Sequence, residues 1–189
     1  TALDIDINSF TGSIPSSIGT MTQLTVVDIS DNQFTGAVPS NFSALTNATF
    51  IDVSNNELDV LPDLTAIMPA TFDVSDNNFD FGDILPNVAS FSLYAPQNNL
   101  EDVILKPSLS ELITMEAITT DDGSNVYNWF FDDVFFSNGS NTINVVYNGS
   151  DEAGIYQCQV INAGAPNLTL IKEFTVVDNT VTSHPDYVA

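Results

Sequence analysis

The chain has 189 residues, 43% of them hydrophobic, and sets 25 Asp and Glu against two Lys and Arg, for a formal charge of -23. So acidic a surface excludes nucleic acid and anionic lipid as partners, because both are bound through basic side chains. No run approaches the ~18 to 20 uninterrupted apolar residues of a membrane span, which argues against membrane insertion, while the length allows one or two domains.

The first hundred residues repeat. In "DIDINSFTGSIPSSIGTM" the residues Asn8, Phe10, Gly12, Ile14 and Pro15 return as Asn32, Phe34, Gly36, Val38 and Pro39 in "DISDNQFTGAVPSNFSAL". Ile51, Val53, Asn56 and Leu58 continue the frame, then Phe72, Val74, Asn77 and Phe79 after a shorter interval, and "FSLYAPQNNL", with Phe91, Leu93 and Leu100, is a last degraded copy. Periods of about 20 to 29 residues with the frame L-x-x-L-x-L-x-x-N-x-L are the signature of leucine-rich repeats, one strand and a return segment per unit. The chain resembles that family, and the G-x-I-P tail of its first two units looks like the plant-type subclass.

Each such unit has one apolar edge that it buries only by stacking on its neighbours. The sharp bend after each strand leaves backbone donors and acceptors facing inward, and an Asn side chain supplies both a donor and an acceptor. Asn8, Asn32, Asn56 and Asn77 are therefore expected to form an internal hydrogen-bond ladder, with Asn55 more exposed and less important. The first strand, "ALDIDI", has no visible cap, so the end around Leu3, Ile5 and Ile7 is expected to be covered by upstream sequence or by another subunit, the tail with Val181, Tyr187 and Val188 being one candidate. The chain opens without an initiator Met and inside a repeat, and is read as a processed form or a fragment.

Outward residues alternate with core residues along a strand. That places Asp4, Asp28, Asp52 and Asp73 in one register on the concave face, with Asp6, Ser30, Ser54, Ser75 and Ser92 beside them: a partner-binding surface for a cation or a basic ligand. Calcium is the cation to consider as a cofactor, since "DVSDNNFDFGD" gathers Asp73, Asp76, Asp80 and Asp83 as a candidate metal site and "TDDGSN" and "FDDV" add acidic turns. None has the EF-hand spacing. Asp and Asn are also common in turns because they tolerate left-handed backbone and cap their own chain.

From about Glu101 the Asn spacing gives way to "DVILK", "ELITMEAI", "VYNWFF", "NTINVVY", "GIYQCQVIN" and "IKEFTVV", short runs separated by turn residues, which predict a β-sandwich. "YNWFFDD" followed by "SDEAGIYQC" resembles the immunoglobulin-type pattern, and residues 101–178 are similar to the immunoglobulin-like modules of bacterial surface proteins. The resemblance implies a core Trp129, a tyrosine corner at Tyr156, Cys158 on strand F and Glu152 in the usual Asp position. Cys158 is the only Cys, so the inter-sheet disulfide cannot form within the chain, and it is expected to be a buried small hydrophobe.

No H-E-x-x-H, C-x-x-C, Walker-type, G-x-G-x-x-G or G-x-S-x-G motif occurs, and the single His, His184, stands in the tail. Five N-x-S/T sequons, at Asn41, Asn47, Asn138, Asn148 and Asn167, are about as many as this composition gives by chance. A charge this negative suits secretion into salty water, where screening over ~8 Å or less weakens self-repulsion, and equally serves simple solubility. The chain thus reads as a mainly β, non-catalytic extracellular protein: a leucine-rich-repeat solenoid over 1–100, an immunoglobulin-like β-sandwich over 101–178, and a tail or linker over 179–189. Its expected function is recognition or adhesion at a bacterial cell surface, with a protein or glycan as partner. The alternatives are a structural subunit of an extracellular filament or sheath, assembling as a homo-oligomer or head to tail, and an accessory binding module of a larger secreted enzyme.

Overall fold

The computed structural model describes residues 1–117 and 123–178. The tail over 179–189, with Val181, His184, Tyr187 and Val188, and the acidic turn over 120–122 lie outside the described residues. The structure is mainly β with few helices, and no helix among the described residues is long and apolar enough to cross a membrane. Two compact units are present: the first contains Thr1–Asn98 and Ile161–Leu170, the second Asn125–Val160 together with 99–117 and 171–178.

In the first unit, β1 (Ala2–Asp4), β3 (Val26–Asp28), β5 (Phe50–Asp52) and β7 (Thr71–Asp73) form a parallel sheet in that order, one strand per repeat. β2 (Thr11–Gly12), β4 (Gln33–Ala37) and β6 (Glu57–Val60) form a second parallel sheet. Val27, Ile51 and Phe72 point inward from the middle of their strands and join Ile29, Phe34, Phe42, Val53, Leu58 and Phe79 in a continuous core. Gly12 and Gly36 take φ of 79° and 76°, which only glycine adopts at no steric cost. Pro15 and Pro39 then lead into 3-10 helices at Ser16–Thr20 and Ser40–Ala44, which accounts for the G-x-I-P spelling.

The bends are held by the expected ladder. Asn56 Nδ2 donates to the carbonyls of Ile29, Val53 and Ser54 at 3.1, 3.2 and 3.1 Å, and its Oδ1 accepts from Phe34 N–H at 3.0 Å. Asn32 does the same for Ile5, Ile29, Ser30 and Phe10, and Asn77 for Val53, Val74, Ser75 and Leu58. Asn8, at the end of the stack, is exposed and donates only within its own bend, to Ile5 and Asp6. The residue before each rung is left-handed: Ile7, Asp31, Asn55 and Asp76 have φ of 48°, 53°, 52° and 52°. Asp and Asn tolerate that conformation, whereas a β-branched Ile is strained by it.

The last copy differs from the sequence reading. Leu93, not Ser92, bridges Asp73 in parallel, and Ser92 Oγ instead exchanges hydrogen bonds with the backbone of Phe72, so Ser92 is not part of the Ser30, Ser54 and Ser75 row. Gln97 fills the fifth rung: its Nε2 donates to Val74 and Tyr94 carbonyls at 2.9 and 2.8 Å and its Oε1 accepts from Asn77 and Phe79 N–H. Gln97 stands four residues after Leu93, as Asn77 stands four after Asp73, so its amide takes the place of the Asn rung.

In the second unit, apart from Ile161–Asn162 and Thr169–Leu170, lie β8 (Val103–Leu105), β9 (Leu112–Glu116), β10 (Asn125–Phe131), β11 (Val134–Asn138), β12 (Thr142–Val146), β13 (Gly154–Asn162) and β14 (Thr169–Val176). One sheet has the order β11-β10-β13-β14-β8, and β9 pairs with β12 in another. Ile113, Met115 and Ala117 alternate inward and share the unit's core with Tyr127, Trp129, Tyr156 and Cys158. Trp129 Nε1 donates to Ser140 O at 2.9 Å and Tyr156 Oη to Glu152 O at 3.2 Å, so both aromatic polar tips are satisfied.

Asn56→Ala should lower stability by about 1 to 3 kcal/mol, the cost of leaving buried backbone groups unpaired. The exposed neighbour needs a different control, because an Ala at Asn55 would be strained. Asn55→Gly, which keeps the left-handed bend, should change stability by well under about 1 kcal/mol; equal melting shifts for the two variants would place the ladder in the wrong register. Ile7→Asn should raise the melting temperature, since it removes a left-handed strain of about 1 to 2 kcal/mol.

Candidate functional site

The open face of the four-stranded sheet is set by register. Asp4, Asp28, Asp52 and Asp73 lie directly opposite one another across β1, β3, β5 and β7, at the ~4.8 Å spacing of paired strands. The same pairing aligns a second outward row, Ala2, Val26, Phe50 and Thr71, beside the carboxylates. Val26, Phe50 and Thr71 remain half-exposed. The face is therefore an acidic stripe beside an apolar one.

The carboxylates are oriented from behind. Ser30 Oγ donates to Asp28 Oδ1 at 2.7 Å, Ser54 Oγ to Asp52 Oδ1 at 2.6 Å, and Ser75 Oγ to Asp73 Oδ1 at 2.7 Å. The backbone N–H of each Ser adds a bond to the same oxygen. Ser30 and Ser75 are themselves buried and Ser54 half-buried, so these hydroxyls position the Asp side chains and do not present themselves to a partner. Crowding is visible in the acidities. Burial holds the Asp52 carboxyl above its usual value, with the charges of Asp73 and Asp28 adding to the shift. Asp6 is raised chiefly by a hydrogen bond with Asp4.

The structure does not gather Asp73, Asp76, Asp80 and Asp83. Among the described residues no group of three or more His, Cys, Asp or Glu could hold a metal ion. Asp73, Asp80 and Asp83 already serve the backbone, Asp73 accepting from Ser75 N–H. Asp80 and Asp83 form a capping box on the helix Phe81–Ile84, and Asp83 Oδ1 also accepts from Leu61 N–H at 2.9 Å. Cys158 is fully buried, and burial pushes its thiol up to about 12, so it is protonated at neutral pH. Two sequon amides brace adjacent repeats: Asn41 Nδ2 donates to Ser16 O at 2.7 Å and Asn47 Nδ2 to Thr22 O at 2.8 Å.

The apolar row was missed by sequence reasoning, although Val26 and Phe50 precede their strands' core residues at the alternate position in both repeats. Gln97 was missed because it breaks the Asn spelling, yet its amide carries the same donor and acceptor.

The Leucine Rich Repeat family model matches residues 23–45, the stretch that holds β3, the Asn32 rung and the buried Phe42. No curated protein matches the chain. Among solved structures it is similar to the BIR2 ectodomain from Arabidopsis thaliana, at 23% identity over 41% of this chain and 42% of that one, with a TM-score of 0.37. It is also similar to the LRR ectodomain of the receptor kinase SOBIR1 from the same plant, at 23% identity over 50% of this chain and 55% of that one, with a TM-score of 0.39. The chain thus spans about half the length of these structures.

Asp52→Asn keeps the Oδ1 acceptor for Ser54 and removes the charge. A carboxyl whose folded pKa is raised contributes stability below its unfolded value, ~3.9, and loses it as pH rises through the folded value. Asp52→Asn should therefore melt higher than the parent at pH 7, and the gap should close as pH falls to about 4. A gap that persisted unchanged into acid would show that Asp52 carries no ionisation penalty.

Proposed function

We propose that this chain is a non-catalytic, extracellular recognition protein that binds a partner on the open face of the β1-β3-β5-β7 sheet. The observation that carries the reading is the register of that sheet, which stacks Asp28, Asp52 and Asp73 beside Val26 and Phe50. Repeated like charges cost stability unless something offsets them, and a row of oriented carboxylates next to apolar side chains suits a basic partner with an apolar contact region. The repeats are read as a short leucine-rich-repeat solenoid, supported by the ladder and by the family match over residues 23–45. The second unit is read as an immunoglobulin-like sandwich, supported by the buried Trp129, the Tyr156 to Glu152 bond and the separate β9–β12 pair. A cell-surface setting, bacterial in the immunoglobulin-like resemblance, fits the acidic composition.

One observation favours a second reading, end-to-end assembly. β1 stands last in its sheet, and next to it Ile7 is 75% exposed with Phe10 also exposed, an edge that upstream sequence or another subunit would cover. Concentration-dependent light scattering that is abolished by Ile7→Asn would support it.

The main reading is tested with photo-crosslinkers attached to single introduced thiols, Cys158 being too buried to compete. Asp28→Cys and Phe50→Cys should capture a surface component of the source organism, and Asp59→Cys, on the strand β6 of the other sheet, should not. Capture concentrated at position 59, or equal at all three, would sink the proposal.

A further inference from the structure

The strand β11 and the turn leading into it form a second surface that the repeat face does not explain. Asp132 and Asp133 both adopt left-handed conformations, φ 45° and 64°, and turn the chain from β10 into Val134, Phe135 and Phe136. These three consecutive apolar residues stay 69%, 57% and 49% exposed. Such a run on a water-facing strand marks an interaction surface or an aggregation hazard. β11 ends its sheet, and Phe136 is the extra residue of a bulge: Trp129 stands opposite Ser137 and Phe130 opposite Phe135. Bulges re-aim side chains. Here the Phe136 ring stands edge-on to Tyr156 at 5.9 Å, and Phe131 packs on the same Tyr156 at 4.5 Å.

Carboxylates frame this aromatic cluster. Asp132 Oδ1 accepts from Ile155 N–H at 2.9 Å, and Asp132 N–H donates to Ile155 O at 2.9 Å. Gly154 lies directly beneath, where an added Cβ would stand 2.7 Å from both Asp132 Oδ1 and Phe131 Cε2, so a residue without a side chain is what lets the carboxylate and the ring share the spot. The Tyr156 phenol is raised by burial first, then by the charges of Glu152 and Asp132, which places both acids near the rings. Aromatic faces are negative, and carboxylates beside them make the surface attractive to a cation on two counts.

The chain does not supply that cation. Its two basic side chains are Lys106 and Lys172, Lys172 Nζ already stands 5.6 Å over the Phe174 ring, and a second copy would bring another -23 of charge. We propose that the edge of β11, with Phe131, Phe136, Asp132 and Asp133, docks an extended Lys- or Arg-bearing segment of a different protein. The segment's apolar side chains pack on Val134 and Phe135, and its cation sits on the Phe136 ring against the two Asp carboxylates. None of the residues of the repeat face takes part, so this docking stands or falls separately from the reading above.

The test is an NMR titration of the isotopically labelled full chain with a capped peptide of alternating Arg and Val, and with its counterpart in which Glu replaces Arg. The Arg peptide should give saturable shifts over 132–138 and 154–156, and the Glu peptide none. Asp133→Asn, which keeps a residue suited to the left-handed turn, and Phe136→Leu, which keeps an apolar side chain but no ring, should each weaken binding at least tenfold. Asp59→Asn, at an exposed carboxylate on β6, should bind within twofold of the parent. Full affinity in the Asp133 and Phe136 variants, shifts confined to the repeat sheet, or no saturable binding up to millimolar peptide would each overturn the assignment.

Discussion

A side-chain amide closing the bend after each strand is the interaction on which the first unit depends. Asn56 gives its two N–H groups to carbonyls of its own repeat and of the one before, and its oxygen takes the N–H of Phe34 from that same preceding repeat. The amide thus does two things at once: it satisfies inward-facing backbone groups, and it fixes the offset between neighbouring repeats. A strand shifted by one residue would leave donors and acceptors unpaired in the core, each at about 1 to 3 kcal/mol. Regular stacking follows from that penalty together with burial of Val27, Ile51 and Phe72.

The acidic face of the β1-β3-β5-β7 sheet is a consequence of the same register. Once strands stack without offset, whatever the outward positions hold is copied into rows, and rows of Asp repel. The Ser residues two places on take one oxygen of each Asp from behind, which fixes the carboxylates without neutralising them. Like charges held in place at the surface repel and cost the protein stability. The apolar row through Val26 and Phe50 gives the same face a component that salt does not screen.

The second unit is organised around Trp129 and Tyr156, whose rings are buried and whose polar tips bond backbone carbonyls. Cys158 sits among them as a small apolar side chain, so the unit holds its core by packing, without a cross-link within the chain. At its rim the rule of burying aromatic surface is broken on β11, where Phe135 and Phe136 face water.

The repeat frame, the ladder from Asn32 to Asn77 and the row of Asp4, Asp28, Asp52 and Asp73 were legible in the sequence by itself, because each depends on spacing along the chain and stacking preserves spacing; Asn8, read as a further rung, is exposed and bonds only its own bend. The strands β8, β9, β10, β12, β13 and β14 could likewise be read from alternation and turn residues. Tertiary structure decided the rest. Gln97 becomes a rung because Leu93 pairs with Asp73 and so puts Gln97 in the place of Asn77, and Asp80 and Asp83 become helix caps only because a short helix forms beside them. Ser30 and Ser75, read as outward, are buried where they donate to Asp28 and Asp73. The strand β11 escaped because a continuous apolar run has no period of two, and its bulge, which aims Phe136 at Tyr156, exists only through pairing with β10. What recurs at fixed distance along a chain is written in its sequence, whereas a site made by residues such as Phe131, Asp132, Phe136 and Gly154 comes into being only when separate strands are brought together.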